Sequence, residues 1–231
     1  MHRNIRLQIA FDGTHYSGWQ RQNNAPTIQG AIEDALATMT TARVRLHGAG
    51  RTDAGVHARG MVANFATNAT IPCEGFLAGL NSMLSTDIRI LGVNEVPLEF
   101  HSRYSATGKT YCYSLFTGSV QLPSERLYCS HIPGELVPNR IRECLEYIRG
   151  THDFSSFEGS GSRDTKHGHM VRNLVGTLIE AGRKKITPRQ FLSVLESRDR
   201  TQAGPTAPSC GLTMTKVWYE PLPVDRAGKQ K

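Results

Sequence analysis

The chain has 231 residues, of which 39% are hydrophobic and 20% are charged. This composition supplies a core for one large or two small domains and excludes a wholly disordered chain. Lys and Arg number 27 against 20 Asp and Glu, a net charge of +7 that favours an anionic partner such as nucleic acid or an acidic membrane surface.

Several features predict a cytoplasmic protein without a membrane partner. No apolar run approaches the roughly 18 residues that a membrane span needs, and the N-terminal stretch has no signal-peptide block. The five cysteines are scattered and odd in number, which argues against a disulfide framework or a zinc site and favours a reducing compartment.

The first half of the chain alternates predicted strands and helices. Residues 5–11 have an apolar residue at every second position, which predicts a half-buried strand. Thr27 precedes apolar residues spaced by three and four as far as Met39, which predicts a capped helix. Residues 43–65 predict a strand, a glycine-rich loop and a second strand, and a helix near 76–83 and a strand over 87–96 follow.

The second half repeats this mixture. Residues 108–116 predict a single strand with Tyr111, Tyr113 and Leu115 on one face. Helices are predicted over 139–149, over 169–181 and after Thr187, and a last strand over 215–222. The order of elements predicts an α+β fold with a mixed or antiparallel central sheet flanked by helices, and a boundary near residues 100–108.

The loop from Gly48 to Gly60 is the strongest candidate for chemistry. It places Asp53 among the cations Arg51 and Arg59, which would keep this carboxylate ionised and suited to act as a nucleophile. The alternative is that residues 52–55 form only a surface turn in which the aspartate satisfies backbone donors.

Aromatic and basic residues recur together, notably at His101, Arg103 and Tyr104 and again at Lys109 and Tyr111. Rings beside cations suit unpaired RNA bases and their phosphates. The chain contains no phosphate-binding loop, dinucleotide fingerprint or zinc-protease motif.

Eight segments in one order resemble the tRNA pseudouridine synthase A family and cover nearly the whole chain. They are FDGTHYSGWQRQ, TIQGAIEDAL, GAGRTDAGVHA, LNSMLSTDIRI, FHSRYSATGKTYCY, GTHDFSSF, HMVRNLVGTLIEAGRKK and PTAPSCGLTMTKVWYE. The resemblance implies isomerisation of uridine to pseudouridine in the anticodon stem-loop of tRNA, at positions 38–40, by base flipping and an aspartate nucleophile.

The resemblance also implies site residues. It makes Asp53 the catalytic aspartate, Tyr111 the tyrosine that stacks on the flipped base, and Arg172 the basic partner of the carboxylate. Arg51 helps to extrude the uridine, and His101 and Arg103 complete the predicted RNA-binding set.

The family fold implies two similar subdomains around a basic cleft. They are expected over residues 1–103, with the catalytic loop, and 104–223, with a disordered tail over 224–231. The family acts as a homodimer, without a metal, a nucleotide or any other cofactor.

One departure from the family pattern concerns residues 166–169, where about 25 to 30 residues of two paired strands are missing. Such a loss exposes backbone edges and core surface. The sequence therefore leaves an alternative open, a catalytically impaired RNA-binding protein derived from such a synthase.

Overall fold

The computed structural model describes residues 2–159 and 169–220. The strands are β1 (Arg3–Phe11), β2 (His47–Gly48), β3 (His57–Thr67), β4 (Ile88–Val96), β5 (Gly108–Tyr113), β6 (Leu115–Phe116), β7 (Ser130–His131) and β8 (Leu212–Trp218). The α-helices are α1 (Ile28–Thr40), α2 (Cys73–Met83), α3 (Pro138–Tyr147), α4 (Met170–Gly182) and α5 (Pro188–Ser197). No helix within the described ranges is long and apolar enough to span a membrane.

The larger sheet has six strands and is mixed. Its order is β4-β1-β3-β8-β5, with β2 pairing to β3 beside this path. The pairs of β1 with β3 and β4 are antiparallel, whereas β3 and β8 run parallel. The mixed sheet with its helices confirms the α+β prediction.

The described residues divide into two compact units. The first runs up to Cys112 and resumes at Thr213, and the second runs from Tyr113 to Leu212. This division differs from a boundary after residue 103, because β5 and β8 belong to the six-stranded sheet and so join the first unit. The predicted tail lies outside the described residues.

The core of the first unit forms between its sheet and the apolar faces of α1 and α2. Ile5, Leu7 and Ile9 of β1 are fully buried, as the alternating pattern predicts. Ile32 of α1 and Phe76 of α2 belong to the same apolar cluster. This packing gives the loops at the ends of the strands a rigid base.

Local capping signals are confirmed at both predicted helix starts. The Thr27 side chain accepts a hydrogen bond from the backbone N–H of Gly30 at 3.2 Å at the start of α1. At α5, Thr187 Oγ1 accepts from the Gln190 N–H at 3.1 Å, and Gln190 Oε1 accepts from the Thr187 N–H at 2.8 Å. These bonds satisfy backbone donors that the first helical turn leaves without partners.

The single strand predicted over 108–116 is wrong, because it breaks at Ser114. The Ser114 N–H donates to Gly211 O at 2.8 Å, and β6 then pairs in parallel with β7 in a separate two-stranded sheet. Tyr111 accordingly packs against the core of the first unit, whereas Tyr113 packs against a small cluster around Ile132 in the second.

Two other strands differ in extent from the sequence prediction. The strand expected from residue 43 is reduced to the two residues of β2, and β8 begins three residues before its predicted start at Thr215. The two residues of β2 are those that pair with β3, and β8 lies between β3 and β5, pairing with β3 at Thr213 and Met214.

Candidate active site

Asp53 lies in a tight turn between β2 and β3. The Asp53 carbonyl accepts a hydrogen bond from the Val56 N–H at 3.2 Å, and Gly55 has a φ of 75°. Glycine suits this third position, since a positive φ is costly for other residues. The turn therefore spans residues 53–56, one residue later than the predicted turn over 52–55, and the Asp53 side chain is partly exposed.

A second loop, residues 12–19, packs directly against the backbone of this turn. A Cβ atom on Gly13 would lie 2.1 Å from Val56 O, and one on Gly18 would lie 2.4 Å from Thr52 O. The Trp19 N–H donates to Thr52 O at 3.0 Å. Direct backbone contact over these residues fixes the turn that carries Asp53.

The structure brings Asp53 and Tyr111 together. Burial raises the pKa of the Tyr111 phenol to about 12, and the negative charge of Asp53 contributes to the same shift. At neutral pH Tyr111 is therefore a neutral phenol beside a carboxylate. Its hydroxyl can donate a hydrogen bond, and its ring offers an apolar face to a planar group.

Lys109 lies beside this site, although the sequence analysis only grouped it with Tyr111 and did not include it among the predicted site residues. It precedes Tyr111 by two residues on β5, so both point to the same face of the sheet. Lys109 Nζ lies 3.4 Å from the position that a Cβ atom on Gly50 would take. Desolvation and the positive charge of Arg103 lower the pKa of Lys109, so Arg103 acts electrostatically on Lys109. The signal for Lys109 in the sequence is its spacing of two residues from Tyr111, which places both side chains on one face of a strand.

The other predicted RNA-binding residues lie on the surface of the first unit. Arg51 is exposed in the Asp53 loop. His101 and Arg103 lie in the loop after β4, where the ring of His101 is tilted against that of His47 with centroids 4.9 Å apart. His57, at the end of the glycine-rich loop, is buried and accepts a hydrogen bond from the Gly13 N–H at 3.2 Å.

Arg172 belongs to the second unit, near the start of α4. Its Nε donates to Ala207 O at 2.8 Å, and its own carbonyl accepts from the Ala207 N–H at 3.1 Å. Burial raises the pKa of Tyr113, and the positive charge of Arg172 partly opposes this shift. The pairing of Arg172 with Asp53 stays a prediction.

A buried amide next to Arg172 holds the start of α4 in place. Asn173 is 1% exposed. Its Nδ2 donates to Phe157 O at 2.7 Å, and its Oδ1 accepts from Thr206 Oγ1 at 2.6 Å. These bonds tie α4 to two loops of the second unit, and losing either partner would leave a buried polar group unsatisfied.

A sequence model described as tRNA pseudouridine synthase matches residues 8–105 and 167–220. The chain belongs to the tRNA pseudouridine synthase family, whose members are isomerases. The matched ranges contain Asp53 and Arg172, whereas Tyr111 and Lys109 lie between them.

Individual relatives agree with the family match. Over 250 residues the chain is 46% identical to tRNA pseudouridine synthase A 1 of Desulfotalea psychrophila, with 94% of this chain and 100% of the relative covered. It is 38% identical over 243 residues to tRNA pseudouridine synthase A of Clostridium acetobutylicum, with the same shares covered. The tRNA pseudouridine synthase A 2 of Clostridium tetani is 41% identical over 247 residues, covering 95% of this chain and 100% of the relative.

The lengths of these alignments show that the chain is shorter than its relatives. The 94% of this chain that aligns amounts to about 217 of 231 residues, whereas the alignments extend over 250 and 243 positions. The relatives therefore have about 26 to 33 residues more within the matched region, in keeping with the predicted shortening. Its predicted place, 166–169, lies outside the described residues except for His169.

Proposed function

We propose that this chain isomerises uridine to pseudouridine in the anticodon stem-loop of tRNA, at positions 38–40. The observation that carries this proposal is the charge of Asp53 acting on the partly buried phenol of Tyr111, in a member of this enzyme family. The names of the relatives, which specify tRNA, support the choice of substrate. The net charge of +7 suits a polyanionic substrate.

The reaction exchanges one bond of the base for another. The bond between N1 and C1′ breaks, the uracil rotates, and C5 bonds to C1′. The proton on C5 is released and N1 gains one, so atoms and charge balance without an oxidant or an energy source. Within a stacked stem the base would be out of reach, so the nucleotide is flipped out.

Each predicted residue has a role in this scheme. Asp53 acts as the nucleophile, at C6 of the base or at C1′ of the ribose, or it promotes a glycal intermediate. The ring of Tyr111 stacks on the flipped base, and its hydroxyl is near the path of the C5 proton. Arg51 supports extrusion of the base, and Arg172 pairs with the carboxylate of Asp53. The enzyme acts as a cytoplasmic homodimer.

The deciding experiment is tritium release from an unmodified tRNA transcript that carries uridine labelled at C5. The chain is compared with Asp53→Ala and Asp53→Asn, and Glu143→Gln on the exposed face of α3 is the control for loss of a carboxylate. We expect release from the chain and from the control, and none from either Asp53 variant, with folding and tRNA affinity kept in all four. Turnover in Asp53→Ala would contradict the assignment of the nucleophile.

The shorter length of the chain favours one alternative, a catalytically impaired RNA-binding protein. This alternative predicts tRNA binding by a folded chain that releases no tritium. The same assay therefore separates the two functions, provided that binding is measured on the same preparation.

A further inference from the structure

Three aromatic rings lie one against the next in a tilted stack on the surface of the first unit. The ring centroids of His47 and His101 are 4.9 Å apart with an angle of 50° between the ring planes, and those of His101 and Tyr104 are 4.4 Å apart with an angle of 35°. Tyr104 ends the stack and is 79% exposed. A tyrosine ring usually buries most of its apolar surface, so this ring offers a large planar face to a partner. We call His47, His101 and Tyr104 the ring stack.

A buried polar network holds the ring stack in position. Asn64, which is 5% exposed, accepts from the Ser102 N–H at 2.8 Å and donates to Asn4 Oδ1 at 2.9 Å. Ser102 Oγ donates to the carbonyl of His47, and the Tyr219 hydroxyl donates to Ser102 O at 2.8 Å. Because buried polar groups are costly to leave unsatisfied, the network fixes the loop in this one geometry.

The His101 side chain also holds the backbone of the two residues that follow Ser102. His101 Nδ1 accepts from the Arg103 N–H at 3.1 Å and from the Tyr104 N–H at 3.4 Å. The two bonds orient the imidazole and set the direction in which Tyr104 leaves the loop. A surface that is ordered before it binds loses less entropy when a ligand arrives.

Cations surround the ring stack. An open groove of about 360 Å³ beside it is lined by Arg45, His47 and His101 among others, with Glu99 as the acidic residue of its lining. Arg45 and Arg103 are exposed. Burial, together with nearby positive charge, lowers the pKa of both His47 and His101. The rings are therefore neutral at pH 7, and the flanking arginines carry the positive charge.

We propose that the ring stack is a platform on which an unpaired base of bound RNA stacks against Tyr104, while Arg45 and Arg103 contact the adjoining phosphates. Planar rings beside cations are how proteins bind single-stranded nucleic acid without reading its sequence. The charge of Arg103 acts on Lys109, and Lys109 lies against Gly50 of the Asp53 loop. The platform and the catalytic turn belong to the same unit. This proposal rests on the proposed RNA substrate and assigns it a second point of attachment.

The test measures binding of a fluorescent single-stranded oligouridine of 12 nucleotides and of an unmodified tRNA transcript. The variants are Tyr104→Leu, which keeps an apolar side chain, and Tyr104→Phe, which keeps the ring. Tyr128→Leu makes the same substitution at a tyrosine of the second unit that is 49% exposed, and is the matched control. We expect Tyr104→Leu to weaken oligouridine binding by about 5- to 150-fold, the range for one stacked base. Tyr104→Phe and the control should stay within about twofold.

The outcomes are distinguishable from those of the isomerase assay. Equal oligouridine affinity for Tyr104→Leu and the unmodified chain would overturn the platform, whether or not the chain releases tritium. An affinity loss in Tyr104→Phe as large as in Tyr104→Leu would also overturn it, because the hydroxyl and not the ring would then be the contact. If binding depends on the ring but no tritium is released, the platform stands and the proposed isomerase activity fails.

Discussion

Tyr111 links the fold to the chemistry at the scale of a single residue. Its ring packs against the core of the first unit while its hydroxyl is close to the charge of Asp53. A phenol with a pKa of about 12 is ionised in a negligible fraction of molecules at neutral pH. The hydroxyl therefore acts as a hydrogen-bond donor at rest, and it can accept the C5 proton only if its own proton passes to another acceptor in the same step.

Replacing Tyr111 by phenylalanine tests this role of the hydroxyl. We expect tritium release to fall by about 100-fold or more, the scale of a lost acid–base group. The affinity for tRNA should change by less than about threefold, because the ring is kept. A large loss of affinity would instead make the hydroxyl a binding group.

The same residue makes stability depend on pH in the alkaline range. The unfolded chain ionises tyrosine near pH 10, whereas folded Tyr111 ionises near pH 12, so rising pH favours unfolding between these values. Between pH 9 and pH 12 the free energy of unfolding should fall in both proteins. The fall should be about 2 kcal/mol larger in the unmodified chain than in Tyr111→Phe. Tyr113 and Tyr219 also have raised pKa values and contribute equally to both proteins. If urea titrations show that the free energy of unfolding falls equally with pH in the two proteins, the raised pKa of Tyr111 is contradicted.

At the scale of elements, the loop over residues 12–19 is as important to the site as the turn that carries Asp53. Gly13 contacts the backbone of Val56 too closely for any side chain. Glycine 92 of β4 is the matched control, since an added Cβ there would meet nothing nearer than 3.8 Å.

Gly13→Ala should therefore displace the catalytic turn. We expect it to lower the free energy of unfolding by about 1–3 kcal/mol, the usual cost of forcing a methyl group into a packed contact, and to reduce tritium release further than the loss of folded protein explains. Gly92→Ala should stay within about 1 kcal/mol and keep full turnover. Equal effects of the two substitutions, measured by urea unfolding and by turnover at saturating tRNA, would contradict the role of loop 12–19 in holding the turn.

Elements with a local signal were predictable from sequence, and elements with a distant partner were not. The alternation in β1 and the caps at Thr27 and Thr187 depend on neighbouring residues, and all three are confirmed. The break at Ser114 depends on Gly211, almost one hundred residues away, and no local pattern reveals it. Similarly, the glycines around Asp53 indicated a turn, but not that loop 12–19 lies beneath it.

At the scale of the whole molecule, positive charge is present in both units. In the first, the charge of Arg103 acts on Lys109. In the second, Arg183 and Lys185 each lie within 4 Å of Glu180, at 3.9 and 2.9 Å, which offsets part of their charge. The first unit has exposed cations in the Asp53 loop, Arg51, and at the start of β3, Arg59, and Lys109 lies against Gly50 of that loop.

Binding of tRNA should consequently depend on salt and not on the catalytic carboxylate. Four phosphate contacts would release enough counterions to weaken binding by about 100-fold between 50 and 200 mM salt. We expect that slope, measured by filter binding, in the unmodified chain and in Asp53→Ala alike, because cations and not a carboxylate contact the phosphates of the RNA. Lys109→Met should reduce the salt slope by about the contribution of one phosphate contact. Lys185→Met should leave the slope unchanged, because the Lys185 ammonium already pairs with Glu180 at 2.9 Å. Binding that is insensitive to salt would contradict an RNA substrate, and would favour a structural role in which Asp53 serves only its turn.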